Sequence, residues 1–266
     1  MRVLTIQDLS CVGKCSLTVA QPILSAMGIS CSVLPTAILS THTAFPKPYV
    51  RSLTEDMPAI NRHWQENNVT FDAILVGYLS DPEQAAALLE IIESFDCPVI
   101  LDPVMGDYGK LYSSITTEHV DAMRDLSCLA KVLLPNVTEA SFLTNLPYQS
   151  TTDGHYLRQM LQKLQRNPDQ SVIITGISPD EQHTGYAGLQ GQDGLFSYSA
   201  LKKHSVHGTG DMFSAVFTGA YVLGKEPYEA AELAAKFVER VLDATENATP
   251  FGAEFEGQLP WLWSQV

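Results

Sequence analysis

Short runs of β-branched and aliphatic residues alternate with longer helical segments, and this alternation constrains the fold more than any other feature of the chain. Three such pairs occupy its first half: 3–7 with 17–27, 73–76 with 82–95, and 99–101 with 116–126. A strand, a helix and a second strand form a βαβ unit, in which the strands are parallel and helices cover the sheet. We therefore predict an α/β fold, a three-layer αβα sandwich with a mainly parallel central sheet.

The second half of the chain continues the pattern and adds a hairpin. Residues 132–134 and 172–175 are typical of buried strands, and 185–189 and 195–201 flank a Gly-Gln-Asp-Gly turn at 191–194. Two helices are predicted at 212–223 and 226–244, the first of them apolar on nearly all sides. Surface loops are expected at 46–48 and 145–152. Because no internal repeat or linker divides the chain, we predict a single domain over residues 1–266.

The net charge and the apolar pattern of the chain exclude two classes of binding partner, nucleic acids and membranes. Sixteen basic against thirty acidic residues give a formal net charge of −14, which would repel a polyanion such as nucleic acid. Each apolar stretch is broken by charges or turn residues before it reaches the roughly 18 residues that span a bilayer, so we expect no membrane partner. An acidic chain that binds an anionic ligand must meet the ligand's charge with backbone N–H groups, a few lysines and a divalent cation.

The five cysteines, at positions 11, 15, 31, 97 and 128, include no Cys-x-x-Cys pair. Reduced thiols in a reducing compartment are the expected state. The first ten residues also lack the apolar core of a signal peptide, and we predict a cytoplasmic protein. Cys11 and Cys15 would share a metal only if they faced each other; packing of small residues around a turn is the favoured alternative.

The strongest local motif is His207-Gly208-Thr209-Gly210-Asp211, which opens the apolar helix. Its glycines allow several backbone N–H groups and the positive end of the helix to converge on an anion. If a phosphoryl group is transferred there, those N–H groups offset its charge and Asp211 accepts the proton of the attacking hydroxyl. The alternative is a plain turn and helix start, where aspartate is also favoured.

Further polar residues follow predicted strands. Asp102 ends the strand at 99–101 and Asn136 follows the strand at 132–134, and parallel sheets bind ligands at such carboxyl ends. Asn136 and Glu139 also match a capping box, which would only satisfy free N–H groups of a helix. Their combination with a glycine-rich anion site favours a role in binding a phosphate ligand.

Taken together, these motifs resemble those of a known superfamily. Asn136-Val-Thr-Glu139 and Gly208-Thr-Gly-Asp211 are similar to the two hallmark motifs of ribokinase-like proteins, and Asp102-Pro-Val-Met-Gly-Asp107 to the vitamin-kinase branch. Ser10, the segment 35–43 and Gly77-Tyr78-Leu79 resemble pyridoxal kinases. The resemblance covers nearly the whole chain and implies phosphorylation of the 5′-hydroxymethyl group of a B6 vitamer (pyridoxal, pyridoxine or pyridoxamine) by ATP.

The resemblance implies roles for individual residues on the side of the alcohol substrate. Residues matching Ser10 and Thr43 hold the pyridine ring in pyridoxal kinases, and the residue matching Tyr78 lies close by. His42 flanks this motif and titrates near neutrality in an ordinary environment, so we place it with the substrate-binding residues, against the alternative of no ligand contact. Gly208, Thr209 and Gly210 correspond to the anion hole, and Asp211 to the catalytic base.

On the nucleotide side, the resemblance implies that Asp102, Asn136 and Glu139 arrange ATP, with Thr175 near the nucleotide. Mg²⁺ would be held by Asp102 and Glu139, and a monovalent cation such as K⁺ is also implied. Homodimerisation is expected from the resemblance alone.

The chain departs from the usual pyridoxal kinase motifs at two places, and two alternative functions remain open. Pyridoxal kinases often carry Ser-His-Val-x-x-Gly where this chain has Ser10-Cys-Val-Gly-Lys14, and an asparagine where it has Thr41, so the preferred vitamer is open. Lys14 is expected to be a solvated loop residue. A hydroxymethylpyrimidine kinase would share the fold, although that family usually has cysteine at the position of Asp211. A non-catalytic vitamer-binding protein is the other alternative.

Overall fold

The computed structural model describes residues 1–190, 193–200, 206–247 and 249–266. The strands are β1 (Arg2–Ser10), β2 (Ser30–Leu39), β3 (Val50–Ser52), β4 (Ala73–Val76), β5 (Val99–Leu101), β6 (Gly106–Asp107), β7 (Lys110–Leu111), β8 (Val132–Leu133), β9 (Ser171–Ile177), β10 (His183–Gln190) and β11 (Asp193–Ala200). The helices are α1 (Leu17–Ala26), α2 (Met57–Glu66), α3 (Gln84–Ser94), α4 (Thr117–Ser127), α5 (Val137–Thr144), α6 (Gly154–Leu164), α7 (Thr209–Val222), α8 (Pro227–Ala244) and α9 (Leu259–Trp263), the last preceded by a 3₁₀ turn at Glu256–Gln258.

The chain forms two compact units. The first comprises Met1–Pro98 with Lys202–Val266, and the second comprises Val99–Leu201. Strands of the first unit follow the order β4-β1-β2-β3, with β1 parallel to both β2 and β4 and only the edge strand β3 antiparallel. Because the chain crosses from β1 to β2 and then back to β4, right-handed connections place α1 and α2 on opposite faces of this sheet. Helices α7 and α9 pack with α1, and α3 packs with α2.

The second unit also contains a mainly parallel core. Strands β5, β8 and β9 are parallel neighbours, and β10 and β11 continue the sheet antiparallel. Residues 99–101 are buried because both faces of a parallel strand are covered. A separate two-stranded ribbon, β6-β7, follows Asp102. The predicted α/β fold with a mainly parallel sheet is confirmed, whereas the single domain over 1–266 stays a prediction.

Most predicted elements are confirmed within two or three residues, including the loops at 46–48 and 145–152. The predicted hairpin is β10-β11, although residues 191 and 192 of its turn and the predicted end of its second strand at 201 lie outside the described residues. Strand β2 had no sequence signal because Pro35 interrupts it. The proline is accommodated where the β1-β2 register shifts, between Gln7 and Leu9. Within the described part of the chain, no helix is long and apolar enough to cross a membrane.

Candidate active site

The N-terminus of α7 lies in the first unit and depends on Gly208. This residue is the N-cap of the helix with φ +89°, and its carbonyl accepts the N–H of Met212 at 2.9 Å. A Cβ added at Gly208 would lie 2.3 Å from the carbonyl oxygen of Lys14. Both the left-handed conformation and the close approach of a second backbone require glycine here. The N–H groups of the first turn, at Thr209 and Gly210, have no carbonyl of the preceding turn to bind, and with the helix dipole they favour an anion.

Asp211 lies in this same first turn and is partly exposed. A carboxylate near a helix N-terminus is stabilised as the anion, which is the state that a proton acceptor needs. The charge of Asp211 also acts on Cys15, in the loop before α1. Burial is the main cause that raises the pKa of the Cys15 thiol, and the negative charges of Asp211 and Asp8 raise it further. Burial and the two nearby carboxylates therefore favour the protonated thiol at Cys15.

Asp8 is a residue of the site that the sequence interpretation missed. It lies on β1, only 4% exposed, and accepts a hydrogen bond from the hydroxyl of Ser10 at 3.0 Å. Burial raises the pKa of the Asp8 carboxyl, against hydrogen bonds from Ser16 and Ser10 and a smaller attraction to His42. Asp8 thus contacts one predicted substrate residue, Ser10. An acidic residue directly after the predicted strand 3–7 was the signal available in the sequence.

His42 is held by the backbone through both ring nitrogens. Its Nε2 lies 2.6 Å from the carbonyl of Pro250, and its Nδ1 accepts the N–H of Ala44 at 3.2 Å. This pair of bonds fits the neutral tautomer with the proton on Nε2. Thr43, the next residue, is exposed. The predicted contact of His42 with substrate, which this structure does not test, would have to use the face or edge of the ring.

Tyr78 follows β4 and is 8% exposed. Its carbonyl accepts the hydroxyl of Thr36 at 2.9 Å, which ties the end of β4 to β2. The predicted contact of Tyr78 with the substrate ring stays a prediction.

Lys14 differs from the expectation of a solvated lysine. Its ammonium group pairs with Glu256 at 2.8 Å and lies 5.7 Å from the ring centroid of Phe255. Its N–H donates to Phe251 at 2.9 Å, and its carbonyl faces Gly208. Sequence reasoning missed this because the partners lie more than 190 residues away along the chain. Lys14 therefore connects the loop after β1 to both the α7 N-terminus and the C-terminal segment.

The predicted nucleotide residues gather in the second unit. Asn136 is the N-cap of α5: its side chain accepts the N–H of Glu139 at 3.0 Å, and Glu139 accepts the N–H of Asn136 at 2.8 Å. The capping-box interpretation is therefore confirmed. The amide of Asn136 also donates to the carbonyl of Gly106 at 2.8 Å, and Asn136 forms a parallel bridge with Thr175. Three predicted nucleotide residues thus lie together at the ends of β8 and β9.

Glu139 and Asp102 are both buried, with exposed fractions of 3% and 8%. Burial, and then the nearby Asp102 carboxylate, raise the pKa of Glu139 well above its ordinary value, although the N–H groups of Asn136 and Met105 favour the anion. Two buried carboxylates that repel each other are stabilised by a cation. Each Glu139 oxygen accepts one N–H and keeps a lone pair, so this oxygen chemistry fits a hard divalent ion. In the described part of the chain, no group of three or more His, Cys, Asp or Glu side chains is placed to hold a metal.

Comparison with known proteins places these features in a family. The model of the phosphomethylpyrimidine kinase family matches residues 27–257. A Bordetella pertussis protein named pyridoxine/pyridoxal/pyridoxamine kinase is 29% identical, in an alignment covering 92% of this chain and 90% of the relative.

Solved structures match over almost the whole chain. Pyridoxal kinase from Lactobacillus plantarum is 30% identical with a TM-score of 0.93, covering 99% of this chain and 97% of that one. A Bacteroides thetaiotaomicron protein, assigned as a phosphomethylpyrimidine kinase and crystallised with pyridoxal, is 35% identical with a TM-score of 0.91, covering 98% and 95%. These matches confirm the predicted ribokinase-like fold.

Proposed function

Because this chain belongs to the phosphomethylpyrimidine kinase family of the ribokinase-like superfamily, we propose that it is a kinase of the B6 vitamers pyridoxal, pyridoxine or pyridoxamine. It transfers the γ-phosphoryl group of ATP to the 5′-hydroxymethyl group of the vitamer. The observation that carries this proposal is the first turn of α7, which combines an anion-binding helix end with the carboxylate of Asp211. Relatives named for pyridoxal kinase activity, and a relative crystallised with pyridoxal, favour the B6 substrates.

In this proposal Asp211 accepts the proton of the hydroxymethyl group as its oxygen attacks phosphorus. The first-turn N–H groups at Thr209 and Gly210, together with the turn at Gly208, offset the charge on the transferred phosphoryl group. Ser10, His42, Thr43 and Tyr78 are assigned to the vitamer.

The nucleotide is assigned to Asp102, Asn136, Glu139 and Thr175. Of these, Asp102 and Glu139 would hold Mg²⁺, which neutralises phosphate charge when bound. A dependence on K⁺ and a homodimer rest on the resemblance, a cytoplasmic location rests on the sequence features described above, and all three are part of the proposal.

A coupled ADP-release assay with purified protein, ATP and Mg²⁺ tests the function. We expect kcat/KM to be highest for one of the three B6 vitamers. A clear preference for hydroxymethylpyrimidine, the alternative substrate left open by the sequence analysis, would transfer the assignment to that alcohol and leave the proposed phosphoryl transfer unchanged.

Asp211→Asn tests the mechanism with a change of nearly equal size. We expect kcat to fall at least about 10²-fold, while calorimetry shows vitamer binding within a few-fold of the original, because removal of a general base affects the transition state more than the bound ground state. Equal kcat values in the two proteins would remove Asp211 from the mechanism.

A further inference from the structure

His42 is enclosed by several segments of the first unit that lie far apart in the sequence. Its N–H donates to the carbonyl of Val12 at 3.2 Å, and a Cβ added at Gly13 would overlap the Cδ2 atom of its ring. The rings of Phe45 and His207 lie 5.1 Å and 5.4 Å from the imidazole, centroid to centroid. Both ring nitrogens are bonded to backbone, and His42 is only 4% exposed. Protein contacts therefore account for the faces and the edges of this ring.

The segment 249–252, between α8 and the 3₁₀ turn, fixes the loop that contains His42. The carbonyl of Pro250 lies 2.6 Å from His42 Nε2, although the two residues are 208 positions apart. The ring of Phe251 lies 5.7 Å from that of Phe45, in the same loop as His42. Phe251 is nevertheless 53% exposed, so little of its apolar surface is buried in the core. Its packing on this loop is the contact that its side chain makes.

The same segment contacts the side of the site that carries the proposed base. The carbonyl of Phe251 accepts the N–H of Lys14 at 2.9 Å. At Gly252, with φ +95°, an added Cβ would lie 3.1 Å from the carbonyl oxygen of Lys14 and 3.3 Å from that of His207. Both the left-handed backbone and the close approach favour glycine at this position. Since the carbonyl of Lys14 also lies against Gly208, one short segment contacts both halves of the site.

We propose that His42 is a positioning residue for the vitamer site, and that segment 249–252 acts through it to keep the loop carrying Thr43 in place beside the turn that opens α7. This inference rests on the proposed function and explains what holds its substrate loop. A loop that is already ordered before the ligand arrives binds it more tightly, because the cost of ordering the loop is not charged to binding. Segment 249–252 then acts on the vitamer through His42 and Thr43.

Two substitutions of His42 separate positioning from direct binding. The side-chain amide of His42→Gln can donate to the Pro250 carbonyl from about the place of Nε2, whereas that of His42→Asn reaches only the place of Nδ1. We expect the Kd for pyridoxal, measured by calorimetry, to rise about tenfold or more in His42→Asn and to stay within about threefold in His42→Gln. Both variants lose the ring, so a direct contact of the imidazole with the vitamer predicts equal losses.

Phe251→Ala tests the segment while leaving His42 unchanged. The KM for pyridoxal should rise about fivefold or more, whereas the KM for ATP, which we assign to the second unit, should stay within about twofold. Phe251→Leu keeps an apolar contact with Phe45 and should restore most of the affinity. Trp263→Ala, the matched control, removes an aromatic ring that is 61% exposed in the same unit and should leave both KM values unchanged.

Amide hydrogen exchange tests the link without turnover and without a ligand. The N–H of Ala44, which donates to Nδ1 of His42, should exchange about tenfold faster in Phe251→Ala. The N–H of Ile74, which donates to Pro98 at 3.0 Å, should keep its original rate. A general loss of stability would instead accelerate exchange at both positions.

Equal losses of pyridoxal affinity in the two His42 variants, or an unchanged exchange rate at Ala44 in Phe251→Ala, would overturn the positioning role. A protein that shows both expected effects but releases no ADP would refute the proposed kinase function and leave this inference standing.

Discussion

Replacing Gly208 with alanine tests whether the α7 N-terminus is held as described. The left-handed backbone at φ +89° destabilises the folded alanine variant by roughly 1–2 kcal/mol. Its Cβ would lie 2.3 Å from the Lys14 carbonyl oxygen, so that backbone must move by about 1 Å to restore ordinary contact, at a typical cost of about 1–3 kcal/mol. Alanine also lowers the conformational entropy of the unfolded chain, which offsets about 0.4–1 kcal/mol of this loss in the free energy of unfolding.

The expected loss for Gly208→Ala is therefore about 2–4 kcal/mol of unfolding free energy. In a chain of this size that lowers Tm by about 5–15 °C in differential scanning calorimetry. We also expect kcat to fall, because the shifted turn carries the proposed anion site.

Gly210→Ala is the matched control, two residues further along. A Cβ at Gly210 meets no atom within 4 Å, and alanine is the better helix former, so Tm should stay the same or rise. If phosphate approaches this turn, kcat/KM for ATP should still fall about tenfold or more, because the added methyl group occupies that space. A Tm for Gly208→Ala within 2 °C of the original would refute the account of Gly208.

Two further substitutions test contacts that support the site. Lys14→Met should reduce kcat several-fold, because the ion pair with Glu256 anchors the loop whose backbone carbonyl lies against Gly208. A double-mutant cycle with Glu256→Gln should give a coupling energy below about 1 kcal/mol for this partly exposed pair. Lys236→Met, which removes an exposed helical ion pair, is the control, and equal kcat values in both lysine variants would contradict the role of Lys14. Asn136→Ala removes a helix cap and the bond to Gly106, and urea unfolding should show a loss of about 1–3 kcal/mol. Asn136→Asp keeps the cap acceptor but loses the donor to Gly106, and it should lose less stability than Asn136→Ala; equal losses would mean that the cap contributes nothing.

Much of the fold could be predicted from the sequence because hydrophobic periodicity and strand–helix alternation are local properties. The strand at 99–101 was recognisable because a strand buried on both faces is a continuous apolar run. The helix at 226–244 was recognisable because a helix buried on one face has apolar residues at helical spacing. Strand β2 had no such pattern, since Pro35 breaks it and only pairing with β1 compensates. The capping box at Asn136 was also local, because its two residues are three positions apart.

What the sequence by itself determined about the site was therefore its short motifs, Gly208 to Asp211 and Asn136 to Glu139, whose spacing carries their chemistry. The tertiary structure decided which groups surround them. The pKa of Asp8 rises because β1 is buried, and Lys14 pairs with Glu256 only because distant segments of the chain meet. Burial and long-range contact set the charge and orientation of a side chain, and neither is encoded within a few residues of it.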